Sequence, residues 1–203
     1  MDSLQRIAPD KVNVLHSMLE RFKEADDEYT ILQEHLARTQ AGYSGEQMID
    51  SLLENATLAD YRVLHAIELE KHPIDTLIIS PKFILILEIK NIAGRLEIDD
   101  ERHQCIRTRH DGTVETFSNP TDQVKKYRNF IVALLGLWKI DLPVECAVVI
   151  ANPRLLIGNI NSWVPVFHKS GLLHRIALME GSLPGKLSAN QVNKLAEQLI
   201  SMH

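Results

Sequence analysis

The amino-acid sequence predicts an α/β fold, a mixed central β-sheet flanked by helices, with an N-terminal helical extension over residues 1–40. Three observations carry that expectation. Short strand-like runs succeed one another between Tyr61 and Thr116 and return at Val144–Ala151. Apolar residues at helical spacing precede them, between Val14 and Leu53, and follow them, from Val124 to Leu135. Within the strands, Phe83–Ile89 is apolar on both faces, as expected of a central strand covered by helices on each side.

Taken in order, Val14, Met18, Phe22, Tyr29, Leu32 and Leu36 recur at spacings of three, four or seven, apart from a polar stretch at Glu24–Glu28. This predicts one long helix or a broken pair, packed on the domain or on a second copy of the chain. Ala41-Gly42-Tyr43 is expected to end it. Ser44 and Gln47 have capping-box spacing, so a new helix is expected to open at Ser44, with Ile49, Leu52 and Leu53 on its apolar face. Strands follow at Tyr61–Leu69, Ile74–Ile79 and Phe83–Ile89, then shorter ones at Leu96–Ile98, Cys105–Thr108 and Val114–Thr116, with a turn at Asp111-Gly112. Asn119-Pro120 reads as an N-cap followed by proline at the first helical position. Val144–Ala151 and Trp163–Phe167 are further strands. A short helix near Ser170–Met179 and a capping-box helix from Ser188 complete the series.

The 203 residues suit one domain with an appendage, or at most two small ones, and 45% hydrophobic with 24% charged residues is an ordinary globular composition. The first residues contain no apolar core of a signal peptide. The longest apolar run, about nine residues at Phe130–Trp138, falls far short of the roughly 20 that span a bilayer. Cys105 and Cys146 have no metal-ligand spacing and read as small buried side chains, so no disulfide framework and a cytoplasmic location are expected. The net charge of −5 excludes a globally basic nucleic-acid binder; contact with a polyanion would need a local patch or bound cations.

The chemistry concentrates in the stretch from Ile74 to Lys90. Glu88 and Lys90 are two residues apart at the end of the buried strand and point to one face, shared with Ile84 and Ile86. Charged groups there are costly unless paired or bound to a metal. Pro81 cannot adopt the positive φ of a two-residue type I′ turn, but it fits a four-residue loop, Ser80–Phe83, at the favoured position of a type I turn. Ile79 then pairs with Ile84, and counting back sets Asp75 opposite Glu88 on the same face; a shift of one residue would send Asp75 to the other face. Two carboxylates so close repel unless a cation lies between them, and hard oxygen ligands suit Mg²⁺ or Mn²⁺. Such an ion can polarise a phosphoryl oxygen and generate hydroxide, with Lys90 orienting the water. A purely structural Asp75–Glu88–Lys90 ionic cluster is the competing reading. Glu46, on a stripe with Ile49 and Leu53 in the expected first helical turn, either serves the helix dipole or joins the site. Gln123, one turn before Tyr127 on an apolar face, either bonds local backbone or reaches the site. Lys125, Lys126 and Arg128 either touch phosphates or form a solvated face, and Asn152-Pro153-Arg154 is a plain turn or a phosphate-contacting loop.

Gly42-Tyr-Ser-Gly-Glu46, Ile74-Asp75, Leu87-Glu88-Ile-Lys90-Asn91-Ile-Ala-Gly94 and Asn119-Pro120-Thr-Asp-Gln123 resemble, in order and spacing, the successive motifs of the nuclease-related domain, NERD. That family is similar in turn to restriction-endonuclease-like nucleases with a PD-(D/E)xK core. The likeness covers about residues 42–151, which sets a nuclease-like α/β domain at residues 41–203. It implies that Asp75 and Glu88 bind the metal, that Lys90 is the catalytic lysine, that Glu46 is a helical carboxylate holding metal or water, and that Gln123 is an accessory polar residue. The departure is Pro73, where the family usually carries glutamine; proline supplies neither the amide nor the N–H.

Residues and resemblance together give the expectation of a Mg²⁺- or Mn²⁺-dependent endonuclease that hydrolyses DNA phosphodiester bonds in DNA processing or repair, with the Ile89 carbonyl as a further metal ligand. The alternative is a catalytically inactive nuclease-fold module that binds nucleic acid or a partner protein. A homodimer through the N-terminal helix is a further expectation, and no membrane association is foreseen.

Overall fold

The computed structural model describes residues 6–22, 26–56, 58 and 60–203. Helix α1 (Asp10–Leu19) packs along α2 (Asp27–Glu54), burying Leu15 and Leu36. Part of the expected polar interruption at Glu24–Glu28 lies outside the described residues. The expected break at Ala41-Gly42-Tyr43 and the helix start at Ser44 do not occur: α2 runs through both. A mid-helix glycine weakens a helix by about 1 kcal/mol relative to alanine. Burial of Leu36, Ile49 and Leu53 along the same helix outweighs that loss. Gly45 also has a packing reason to be there, since a Cβ on it would stand 2.4 Å from Asn91 Cβ.

The principal sheet has the order β1-β2-β3-β7-β9, formed by Arg62–Leu69, His72–Ile79, Ile84–Lys90, Val144–Ile150 and Val166–His168. β1, β2 and β3 run antiparallel, and β3, β7 and β9 parallel, so the sheet is mixed with β3 at its centre. The Ser80–Phe83 loop closes as the turn argument requires: Ile79 pairs with Ile84, Ser80 N–H donates to Phe83 O at 2.9 Å, and Ser80 Oγ accepts from Lys82 and Phe83 N–H.

Alternation along β3 divides the core. Ile84 and Ile86 face α3 (Pro120–Leu137) and α5 (Ala189–Ile200), meeting Val124, Ile131 and Leu195. Leu85, Leu87 and Ile89 face α2 and α4 (Leu172–Ser182), meeting Ile49, Leu53 and Ile176. Asn119 caps α3 by accepting from Thr121 N–H, and Ser188 with Gln191 forms a full capping box on α5. Cys105 and Cys146 are buried free thiols.

The later strands depart from a single sheet. β4 (Arg95–Asp99), β5 (Gln104–Thr108), β6 (Val114–Ser118) and β8 (Leu156–Asn161) form a second one, ordered β6-β5-β4-β8. β8 has no strand signature in the sequence, because Leu-Ile-Gly-Asn-Ile-Asn is half-exposed and interrupted by glycine. Gly94 enters this sheet at φ +102°, and a Cβ there would lie 2.3 Å from Thr108 O, so only glycine fits. No helix among the described residues is long and apolar enough to cross a membrane.

Candidate active site

The charged end of β3 opens into a cavity of about 630 Å³ whose walls include Glu46, Asp75, Glu88, Ile89, Lys90, Asn91 and Asn152. The strand parity argued from the turn holds. Pairing of β2 with β3 runs from Ile79–Ile84 to Thr76–Leu87, so the next step sets Asp75 opposite Glu88. The ladder steps around Asp75 on its other side too, pairing His65 with Thr76 and then Ile67 with Ile74. Ala66, at the skipped position, has φ +49°, a conformation that strains a non-glycine residue and persists where the surroundings over-determine it. The Asp75 side chain turns back onto β3, where its Oδ2 accepts from Ile89 N–H at 2.7 Å.

Glu88 is 2% exposed, and both its oxygens are engaged. Lys90 Nζ donates to Oε1, and Gln123 Nε2 donates to Oε2 at 2.6 Å. Gln123 therefore reaches the site rather than local backbone, because the Asn119 cap starts α3 close enough to the end of β3. Burial pushes the Glu88 carboxyl up to about 7, with the Asp75 charge adding to it and Lys90 pulling the other way. Asp75 is raised by burial as well, against the Ile89 N–H and Lys90. Burial works against the Lys90 ammonium, but Glu88 and Asp75 outweigh it and raise its pKa.

Glu46 is reached from the other side, and its expected setting needs correction. It lies deep within α2 instead of in a first turn, so no helix N-terminus stabilises it. Its counter-charge is Arg6, whose Nη1 donates to Glu46 Oε2. Burial and Asp75 raise the Glu46 pKa, and Arg6 opposes them. Asp50, one turn on, takes Arg6 Nε at 2.8 Å and Nη2 at 3.2 Å, and lies 2.8 Å from His65 Nδ1 without hydrogen-bond alignment. Burial disfavours the Asp50 charge, yet His65 and Arg6 hold its carboxyl below the ordinary range.

Several lining residues were not singled out from the sequence. Arg38, Arg107 and Arg109 stand on the cavity wall, and a neighbouring cavity of about 670 Å³ shares Lys90, Arg38 and Arg107 with it. Arg107 donates to Ala93 O at 2.8 Å, and Arg109 pairs with Glu115 at 2.5 Å. The Arg-x-Arg spacing at the end of β5, Arg107 within it and Arg109 one residue beyond, was the available signal, since a period of two puts both on one face. Asn152 lines the cavity, and its Oδ1 accepts from Arg154 N–H at 3.0 Å, so the Asn-Pro-Arg segment is a turn that also borders the site. Lys125 and Arg128 are occupied elsewhere: Lys125 with Asp100 at 2.5 Å, Arg128 with Val144 O at 2.8 Å, and both over the Trp163 ring.

A buried strand ending in a carboxylate–lysine pair, faced by a second strand carboxylate and a helical one, defines a nuclease-like α/β protein. The chain belongs to the NERD family: the nuclease-related domain model matches residues 41–151, over half its length. The match begins inside α2 and ends one residue beyond β7. No curated protein and no solved structure matches the chain.

Proposed function

We propose that the chain is a metal-dependent nuclease that hydrolyses DNA phosphodiester bonds in DNA processing or repair. The carrying observation is the meeting of Asp75, Glu88, Lys90 and Glu46 on one cavity at the end of a doubly buried strand. The donors fit a hard divalent cation such as Mg²⁺ or Mn²⁺ in kind, being carboxylate oxygens with the Ile89 carbonyl beside them. They fit in charge as well: burial and mutual repulsion raise the pKa of Asp75 and Glu88, a stress that a bound cation relieves. Held by Asp75, Glu88 and Ile89, the ion would supply polarisation of a phosphoryl oxygen and a lowered pKa for water.

The remaining work falls to the chain's own groups. Lys90 Nζ, held by Glu88, orients the attacking water and offsets charge developing at phosphorus. Glu46, the helical carboxylate, is placed to hold the ion or the attacking water and to accept that water's proton. Gln123 fixes the Glu88 carboxylate. Arg38, Arg107 and Arg109 line the same cavity, each paired with Glu34 or Glu115, and exchange of those glutamates for phosphate oxygens would let an acidic chain hold a polyanion there.

The test is cleavage of supercoiled plasmid and of single-stranded DNA in Mg²⁺, Mn²⁺ or EDTA, with Glu88→Ala as control. Cutting that needs the ion and vanishes in the variant is expected. Cutting that survives in the variant would sink the assignment.

A second reading has an observation of its own. Among the described residues no three His, Cys, Asp or Glu side chains are arranged to hold a metal ion, and Lys90 and Gln123 already satisfy Glu88. This closed network suits a binding module without hydrolysis. Retention of nucleic acid by a folded protein that neither cuts nor binds Mn²⁺ would favour it.

A further inference from the structure

We infer that Arg6, outside the matched domain, is a positioning residue of the site: its guanidinium sets Glu46 against the Asp75 strand. The inference rests on the metal-dependent reading above.

The Arg6 side chain is 4% exposed, an unusual place for a guanidinium, which is costly to bury unless its donors are met. All three nitrogens are used. Nε and Nη2 form a fork on Asp50, Nη1 bonds Glu46, and Nη2 also donates to Asp75 O at 2.7 Å and Thr76 Oγ1 at 3.3 Å. Arg6 thus ties one face of α2 to the β2 backbone at the residue that bears the strand carboxylate.

Each end of that tie has a reason. Glu46 and Asp50 are four apart on one helix, where like charges repel, and Asp75 adds a third carboxylate nearby. A cation between Glu46 and Asp50 lets both stay ionised in one geometry. At the other end, the Asp75 carbonyl meets Arg6 where the β1–β2 ladder skips from His65–Thr76 to Ile67–Ile74. The strained Ala66 and the buried Arg6 belong to one local arrangement around Asp75. Among the described residues the Arg6 guanidinium bonds Asp50, Glu46, Asp75 O and Thr76 and neither Glu88 nor Lys90, so it acts through Glu46 and the β2 backbone rather than on the reacting atoms. The planar fork matters as well as the charge, since a lysine cannot bridge Asp50 and Glu46 with fixed geometry.

The experiment titrates Mn²⁺ calorimetrically into the full chain as wild type, Arg6→Ala, Arg6→Lys, Glu46→Gln and the Arg6→Ala/Glu46→Gln double variant, with melting in EDTA to verify folding. Arg6→Ala is expected to weaken Mn²⁺ binding by about tenfold or more, as loss of an outer-shell partner does. Arg6→Lys should recover part of the loss. The double variant should bind no more weakly than Glu46→Gln alone, because the two residues act as one unit.

Wild-type affinity in folded Arg6→Ala, or losses that simply add in the double variant, would overturn the inference. Tighter binding by Arg6→Ala would overturn it as well, by making Arg6 a competitor of the ion. If Arg6→Ala does not fold, Arg6→Lys carries the test, and full wild-type affinity there is the refuting result. A wild type that binds no Mn²⁺ removes the metal site itself; a wild type that binds while the Arg6 variants match it removes only the role of Arg6.

Discussion

Glu88 and Glu46 are carboxylates on the same cavity, yet they are held by different means. Glu88 belongs to a strand buried on both faces, and its two oxygens are taken by Lys90, two residues on, and by Gln123 at the start of the helix packed on that strand. Glu46 belongs to a helix that meets the sheet end from the other side, and its counter-charge comes from Arg6, 40 residues away in sequence. The strand-borne half is fixed by ladder register and burial. The helix-borne half is fixed by an ion pair supplied from outside the matched domain. Placement of the strand-borne groups is therefore local, and the charge balance around the helical carboxylate is not.

The comparison can be broken at its strongest point first. Glu88→Ala removes a proposed ion ligand and leaves Lys90 without its partner; cleavage in Mg²⁺ is expected to fall by about 10³-fold. Glu46→Ala leaves the strand half intact and is expected to cost about 10-fold to 100-fold, in kcat more than in KM. Equal losses in the two variants, measured as initial cutting rates on one plasmid substrate, would show that the halves are not distinct in weight.

A smaller effect is expected one layer out. Gln123→Ala deletes the donor to Glu88 Oε2 and leaves part of a buried carboxylate unsatisfied. Cleavage should drop by about tenfold, with Mn²⁺ restoring more of it than Mg²⁺ because Mg²⁺ is less tolerant of imperfect geometry. A variant cutting at the wild-type rate would reduce Gln123 to a packing residue. Smaller still is the arginine wall. Arg107→Ala should weaken DNA binding with kcat nearly unchanged and lower the slope of log affinity against log salt by about one, as loss of one phosphate contact does. An unchanged slope, in binding titrations across a salt series, would take Arg107 out of the substrate path.

These differences also explain what could be read in advance. Pro81 forbade the tightest turn, the four-residue loop fixed Ile79 against Ile84, and parity then set Asp75 beside Glu88. Turn chemistry and a period of two are local, so this half was legible. The position of Glu46 within its helix was misread because Gly42 and a Ser44–Gln47 spacing resemble a helix boundary, whereas burial of Leu36, Ile49 and Leu53 carries α2 across it. The second sheet was legible strand by strand except at β8, but strand partnership between β4 and β8 joins segments some 60 residues apart, which no local pattern encodes. Arg6 gave no signal at all. A lone arginine before a helix looks like any solvated charge, and only the folded chain brings Glu46, Asp50 and Asp75 around it.

The buried half also has a signature in stability, measurable without substrate. The Glu88 carboxyl titrates near 4.5 ordinarily and is pushed up to about 7 in the folded, metal-free chain. Between those values the folded state keeps a proton that the unfolded state has released. Glu88 therefore contributes stability that is complete below about pH 4.5 and is lost as pH rises through 7. Asp75 is raised too and acts with the same sign. Asp50 and Asp100 are lowered, so their contributions are present above their ordinary value of 3.8 and fail only as pH falls below it, outside the window where Glu88 titrates. In EDTA, Glu88→Gln removes the titration while keeping the side chain's size. Its melting temperature relative to wild type should then rise from pH 5 to pH 8 by several degrees, since a carboxyl moved from 4.5 to about 7 is worth on the order of 2 kcal/mol over that range and each kcal/mol about 2–4 °C for a chain of this size. Saturating Mn²⁺ should reverse the order at pH 8, since the ion binds the carboxylate and stabilises only the wild type. Parallel melting curves for the two proteins in EDTA would mean that Lys90 and Gln123 already neutralise the cost of burying Glu88, leaving no electrostatic strain for a cation to relieve.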